Sequence, residues 1–370
     1  MIFMKSVTVF CDLDSVPESR FDNRRAIPKE LIESIQNKGV VPERYWYLDD
    51  TSASTYHVVT DDSEYKLSEA TENLLRSSFP KIVDIILSNS NWNSSSKISL
   101  ADLGVGTPSK DIMMLKSILE KKNKNAKLIF MPIDISFPLL ASTTKSVLTN
   151  RNIMKIKDKL EICPYVGDFT KLNTPDNKKF FKNKGQKIIT LLGTTSGNFV
   201  LSQLFEVLAD CMNCDDYFVV DFEFADYYYQ NEADLISLKK RYDNDSTKEF
   251  VLHPLSVSIR SDETVDSLKK NINVFVGRKD QVNEIEHAHE YLHMLDESLI
   301  ACMVFNVPQK MKNFEGFKHE DILLAWNVKH TKQSLENLLS ETFEIVNIFT
   351  DKYNPQYGMY LLKKKYNCVH

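Results

Sequence analysis

Three short stretches carry residue types that could bind a nucleoside. The first is Asp102-Leu103-Gly104-Val105-Gly106-Thr107, after an apolar run and before an amphipathic one. Glycines let a backbone turn sharply and approach a ligand without Cβ interference. A helix that follows presents unpaired N–H groups. The second is Ile133-Asp134, closing the next apolar run. An acidic side chain there can accept both hydroxyls of a ribose. The third is Gly167-Asp168-Phe169, where Asp168 could contact an adenine amino group and Phe169 could stack on the ring. Each has a plain structural alternative: a tight turn, a helix cap, a strand-end turn. Three ligand-compatible ends in succession are more specific than any one. Ser109 stands where a dinucleotide fingerprint has its third glycine. This disfavours a nicotinamide cofactor; the separation of Asp102 from Asp134, longer than that fingerprint's spacing of about 20 residues, is explained by a long first helix and its connection through Lys121 to Lys127.

These stretches need strands that end at one edge. Apolar runs at 98–103, 127–135, 160–166, 187–192 and 217–224 read as strands. Helical patterns at 111–122, 138–150 and from Gly193 through Ala209 alternate with them. Such alternation implies parallel βαβ units with right-handed crossovers and an open sheet covered on both faces. Ligands of such sheets lie beyond the carboxyl ends of the strands. Before this region, 67–88 repeats apolar residues at helical spacing. After it, 227–270 reads as largely helical, and 271–278, 298–308 and 321–330 as strands of a meander. A helix at 334–340 precedes two strands, 343–349 and 358–364, which could complete the first sheet.

Bulk properties narrow the partners. A net charge of -5 disfavours a nucleic-acid binder. The cluster Lys363-Lys364-Lys365 reads as the solvated edge of a last strand. Cys211 and Cys214 form one CxxC without a second pair or nearby histidine, so packing at a helix end is favoured over zinc. Glu286, His287, His289, Glu290 and His293 recur at near-helical spacing. His289 and His293 are four apart, a geometry that can bind a metal, but a solvated charged helix is the favoured reading and no metal is expected. The run Tyr227-Tyr228-Tyr229 either borders a cleft or packs one part of the chain on another. No stretch has the length of a membrane span or the pattern of a signal peptide. The expectation is a cytoplasmic protein with no membrane partner.

Asp102-Leu103-Gly104-Val105-Gly106, Asp134 and Gly167-Asp168-Phe169 together resemble the cofactor motifs of class I S-adenosylmethionine-dependent methyltransferases. A narrower likeness lies in Leu192-Gly193-Thr194-Thr195-Ser196-Gly197-Asn198-Phe199. It is similar to the Gly-Gly-Thr-Ile-Gly-Asn-type segment of the histidine-specific methyltransferases of ergothioneine biosynthesis. Tyr45-Trp46-Tyr47-Leu48-Asp49-Asp50, with Glu64-Tyr65 after it, resembles the same family. The resemblance spans most of 42–225 and, more loosely, the tail.

The resemblance implies an α/β fold: a Rossmann-like sheet with an antiparallel last strand, plus a smaller α+β substrate domain. The N-terminal segment, 1–70, and an insertion after the fifth strand, 227–333, would build that domain. Residues 71–226 and 334–370 would form the cofactor-binding core. It also implies roles. Gly104 and Lys110 would lie near the methionine part of the cofactor, with Asp102 and Gly106 also cofactor-binding, while Asp134 would hold the ribose and Asp168 and Phe169 the adenine. Gly193 and Thr194 would line the cleft, and Asn198 would face the acceptor. Tyr65 and Tyr242 would border the acceptor nitrogen and orient its lone pair.

Where the family carries a glutamate and a serine to grip histidine, this chain has Ala325 and Asn327, flanking Trp326. Trp326 either lines an altered pocket or belongs to a core. A site that has lost hydrogen-bonding groups for one ligand implies another ligand. The expected activity is methyl transfer to a small polar acceptor, an amino-acid or amine nitrogen, with histidine disfavoured. A cofactor-binding module without catalysis, and a methyltransferase of a protein or RNA, stay open, as does the oligomeric state.

Overall fold

The computed structural model describes residues 10–11, 28–47, 49–62, 67–89, 91–92, 97–121, 127–155, 157–182, 184–259, 263–278, 298–309, 311 and 317–365. The strands are β1 (Phe10–Cys11), β2 (Lys97–Leu103), β3 (Lys127–Asp134), β4 (Leu160–Ile162), β5 (Tyr165–Val166) and β6 (Gln186–Leu191). They continue with β7 (Tyr217–Glu223), β8 (Ile272–Arg278), β9 (Leu299–Asn306), β10 (Asp321–Lys329), β11 (Phe343–Thr350) and β12 (Tyr357–Lys364). The longer helices are α1 (Lys29–Lys38), α2 (Asp50–Asp61), α3 (Leu67–Ser88), α4 (Pro108–Lys121) and α5 (Phe137–Thr149). After them come α6 (Pro175–Lys182), α7 (Leu201–Cys211), α8 (Glu232–Tyr242), α9 (Asp245–Ser258) and α10 (Lys332–Thr342).

The main sheet runs β1-β5-β3-β2-β6-β7-β12-β11, with β4 also paired to β3. Strands β1 to β7 in this sheet pair in parallel. Strand β12 enters antiparallel between β7 and β11. The buried faces of β2 and β3 divide by alternation. Ile98, Leu100, Leu128 and Phe130 pack with Phe79 and Ile82 of α3 and Leu115 of α4. Ala101, Leu103, Ile129 and Met131 pack with Leu204, Phe205 and Leu208 of α7. Helices thus cover both faces, which is why these strands read as continuous apolar runs.

The second sheet is an antiparallel meander, β10-β9-β8. One face packs on Trp46, Phe250 and Leu255. The N-terminal segment joins this sheet, because Val40 bridges Leu323 and the Val41 amide donates to the Leu323 carbonyl (2.9 Å).

Two details differ from the strand pattern expected. The run 160–166 is split into β4 and β5, with Cys163 and Pro164 between them. Proline has no N–H to give the ladder. The lysine cluster ends a strand that lies inside the sheet, since β11 forms the edge beyond it. The lysines lie at the end of β12, with Lys363 Nζ 4.8 Å from the centre of the Tyr217 ring. Cys211 is buried at the end of α7 and Cys214 is exposed. Residues 286–293 and Tyr65 lie outside the described residues. Among the described residues, no helix is long and apolar enough to cross a membrane.

Candidate functional site

The loop after β2 turns through Gly104 and Gly106, both at positive φ (71° and 53°). A Cβ on Gly106 would stand 3.0 Å from Tyr56 Oη, so the close approach of α2 also requires glycine there. Asp134 closes β3 and fixes this loop. One carboxylate oxygen accepts from the Val105 amide (3.0 Å) and the other from the Ser136 amide (2.6 Å). Asp168 caps the turn after β5, accepting from the Thr170 amide (2.9 Å). Phe169 meets Phe199 edge-to-face at 5.2 Å.

These strand ends converge. Gly104, Gly106, Asp134, Asp168 and Phe169 line one cavity of about 600 Å³. Its far wall is the N-terminal segment, with Glu43, Tyr47 and Tyr56. Burial, and the nearby Asp168 carboxylate, push the Glu43 carboxyl well above its usual range despite a hydrogen bond from Asn198.

Lys110 and Asp102 stand beside this cavity. The Lys110 ammonium lies between the glycine loop and Gly193, and Cβ atoms on Gly106 and Gly193 would each be 3.5 Å from Nζ. Burial disfavours its charge, but Asp102, Tyr56 and Asp221 outweigh that and hold the lysine protonated. Asp102 is under the loop and accepts from Thr190 Oγ1. Burial pushes its carboxyl up to about 6, against the pull of Lys110. Asp111, buried beside it, is also pushed up by burial and by the Asp102 charge.

The segment after β6 is held by a residue the sequence reading did not single out. Asp221 of β7 accepts from the Gly193 amide (3.0 Å) and the Thr194 amide (2.8 Å). Thr194 is non-glycine at φ 54°, a costly conformation for a β-branched residue, and these two bonds hold it. The turn Thr195–Asn198 then presents Asn198 to a second cavity of about 100 Å³. Tyr242, Ala325, Trp326 and Asn327 line this cavity, with apolar walls from Phe250 and Met303. The two cavities share Tyr47, Tyr56, Thr195, Asn198 and Trp326. Trp326 meets Trp46 edge-to-face at 6.1 Å.

Behind the smaller cavity lies a buried charge cluster. Arg241 Nη1 donates to both oxygens of Glu223 (2.7 and 2.9 Å), and Lys329 Nζ lies 3.0 Å from the same carboxylate. Burial raises the Glu223 pKa, but Arg241 and Lys329 outweigh it and hold the group at about 2. Tyr228 donates to Glu223 and is buried, so this member of the tyrosine run packs against the cluster. Lys329 also donates to Tyr242 Oη (3.1 Å) and Asn327 Oδ1 (2.8 Å).

Glu43, Tyr56, Asp221, Glu223 and Lys329 join these sites without belonging to any of the sequence motifs. One signal was present: Asp221 and Glu223 alternate on a strand buried at every position, and buried charges require partners.

The donor set suits an adenosyl cofactor. A glycine loop opens α4, the Asp134 carboxylate lines the cavity at the end of the next strand, and the Phe169 ring lines it further along. Fold and site define a Rossmann-like S-adenosylmethionine-dependent methyltransferase. The chain belongs to the family of histidine-specific, S-adenosylmethionine-dependent methyltransferases, whose model matches residues 27–364. No curated protein matches it. Among solved structures, an S-adenosylmethionine-dependent methyltransferase from Clostridium acetobutylicum ATCC 824 is 13% identical (TM-score 0.40), covering 81% of this chain and 98% of that one. A putative methyltransferase from Thermobifida fusca YX is 11% identical (TM-score 0.41), covering 92% and 98%. The glycopeptide N-methyltransferase MtfA, solved with S-adenosylmethionine, is 10% identical (TM-score 0.36), covering 78% and 87%.

Proposed function

We propose that this methyltransferase acts on a nitrogen of a small polar acceptor, an amino acid or amine other than histidine. One observation carries the reading: the cofactor-sized cavity opens on a smaller one through shared residues, including Asn198 and Trp326. Ala325 and Asn327 line that smaller cavity where the family resemblance calls for a glutamate and a serine. Its apolar walls and lack of a carboxylate among the described lining residues disfavour an imidazole.

The proposed roles follow from position. Asp134 holds the ribose, and Asp168 and Phe169 hold the adenine. Gly104, Gly106 and Lys110 take the methionine end, supported from below by Asp102. Gly193 and Thr194, on the wall of the smaller cavity, line the cofactor cleft from that side. Asn198, Trp326, Asn327 and Tyr242 bound the acceptor. Tyr65 keeps its proposed place beside the acceptor on sequence grounds alone. Segments 1–70 and 227–333 form the acceptor side, and 71–226 with 334–370 the cofactor side.

When bound, the cofactor supplies a methyl group activated by its sulfonium. The protein's task is alignment, which accounts for up to roughly 7–11 kcal/mol in the best intramolecular cases. An ammonium acceptor must lose a proton before its lone pair is available. The shared residues keep the acceptor nitrogen at the junction of the cavities.

Thermal shift tests the assignment. S-adenosylhomocysteine at a hundredfold excess over its Kd should stabilise the protein by about 2.7 kcal/mol. Asp134→Asn should weaken that binding on the order of 10- to 100-fold, the loss expected for a charge-assisted hydrogen bond. With S-adenosylhomocysteine present, one or more amino acids or amines should add a further shift. A large shift with histidine would overturn the acceptor assignment. Unchanged binding to Asp134→Asn would remove the ribose role.

A further inference from the structure

Three carboxyls stand among the described lining residues of the two cavities: Glu43, Asp134 and Asp168. Two are fixed to the main chain of their own loops. Asp134 gives its oxygens to the Val105 and Ser136 amides (3.0 and 2.6 Å). Asp168 accepts from the Thr170 amide and hydroxyl (2.9 and 2.6 Å). Glu43 comes from the opposite wall and bonds instead to a side chain, that of Asn198. Asn198 lines both cavities. The Glu43 carboxyl therefore stands one hydrogen bond from their boundary, on the cofactor side.

The fold holds it there. Glu43 opens a 3-10 turn, Glu43–Tyr45, directly after Pro42. Val40 and Val41 tie the preceding segment to Leu323 of β10. The neighbouring Arg44 pairs with Glu30. The charged groups that face Glu43 across the cavity are Asp168 and Asp134. Tyr47 and Tyr56 share its wall, and Lys110 acts on Tyr56 from the side of the glycine loop. Burial and the two aspartates hold the Glu43 carboxyl well above its usual range. A base moved toward neutrality in this way is the more effective one near neutral pH. A nearby cation has the opposite effect and favours the carboxylate. The cofactor brings a sulfonium and an ammonium acceptor a second positive charge, so Glu43 is ionised when both are bound.

We propose that Glu43 is the general base that takes the proton from the acceptor ammonium at the boundary of the two cavities, directly or through one water. This inference rests on the acceptor being an amine or amino acid. The Glu43 carboxylate takes one proton and becomes a carboxylic acid. The nitrogen keeps the freed electron pair and forms its bond to the methyl carbon with it. The carbon–sulfur bond breaks and its pair goes to sulfur. Glu43 returns its proton to solvent water when the products leave.

The test has two readouts. The first is binding alone, by calorimetry in two buffers of different ionisation enthalpy. Binding of S-adenosylmethionine should release more protons from the wild-type protein than from Glu43→Gln. The second is transfer of labelled methyl from S-adenosylmethionine to the common amino acids and the amines formed by removing their carboxylate. Glu43→Gln keeps the side-chain size and an oxygen for Asn198. Near neutral pH it should lower transfer on the order of 100-fold or more, the usual contribution of a general base, while S-adenosylhomocysteine binds as before. The deficit should shrink as pH rises through the acceptor's own pKa, about 10 for an aliphatic amine, because the acceptor then arrives without its proton. Should Glu43→Gln fail to fold, Glu43→Ala serves: added formate should restore transfer near neutral pH where chloride does not. The proposal is overturned if proton release is equal in the two proteins, if the deficit is absent or is the same at every pH, or if formate restores nothing. A wall residue without a proton role gives the same deficit at every pH. Absence of transfer from the wild-type protein to every compound tested would instead overturn the acceptor class beneath, and this proposal with it.

Discussion

Burial keeps His330 neutral. Its ring is buried just after β10 with Nδ1 2.9 Å from Ser298 Oγ, and burial lowers its pKa from 6.5 to about 4. The unfolded chain takes up this proton as pH falls below 6.5, while the folded chain resists until about 4. The stability due to the neutral ring is therefore complete above 6.5 and lost as pH falls toward 4. The slope is about 1.4 kcal/mol per pH unit. Glu223 acts in a lower window, because its contribution is lost only as pH falls from 4.5 toward about 2. Urea denaturation of wild type and His330→Gln between these limits separates the two. The wild-type protein should lose stability more steeply below pH 6.5, and parallel curves would refute the assignment. The residues legible in the sequence were those whose spacing marks a strand end, such as Gly104, Asp134 and Asp168. Glu43, Tyr56 and Lys329 were not legible, since each meets its partners only through a fold that joins distant segments. Glu223 was half-legible: its charge on an apolar strand demanded a partner, but nothing in the sequence named Arg241.

At the scale of elements, the parallel strands and their helices could be read because apolar runs alternate with amphipathic ones. The interruption at Pro164 could not, and the antiparallel last strand was legible only through the family resemblance, since pairing order depends on which edge is already covered. The turn Thr195–Asn198 shows what the sequence motif is for. It packs on β10, and a Cβ on Gly197 would stand 2.7 Å from both Asn327 Nδ2 and the Val328 carbonyl. Backbone cannot yield to such a contact cheaply. Gly197→Ala should cost about 1–3 kcal/mol, the range for overpacking a close interface. It should also displace Asn327, and with it the orientation of Asn198. Thermal melts and titration calorimetry check both parts. Stability should fall, and acceptor affinity should fall more than affinity for S-adenosylhomocysteine. An alanine variant with wild-type acceptor binding would show that the close approach is not needed.

Across the whole molecule, the cofactor-sized cavity has walls from two distant parts of the chain. The strand ends of the main sheet form one wall, and Glu43, Tyr47 and Tyr56 form the other. Helix α2 carries Tyr56 and packs Ala53 against Val105 and Val166 of the main-sheet side, while its start is tied to α9. Asp49 caps it by accepting from the Ser52 amide (2.9 Å) and pairs with His253 Nε2 of α9 (3.1 Å). Burial alone would raise the Asp49 pKa, but these bonds hold it at about 2. A ligand filling the cavity must therefore touch elements that belong to both sheets. Ligand that binds only the folded walls stabilises every element contributing contacts, and local opening reports this element by element. Amide hydrogen exchange with S-adenosylhomocysteine should slow in the loop 104–106 and, to a comparable degree, in α2. Helix α6, none of whose residues lines either cavity, should exchange unchanged. Protection of the 104–106 loop without protection of α2 would mean that the N-terminal wall is not part of the bound state.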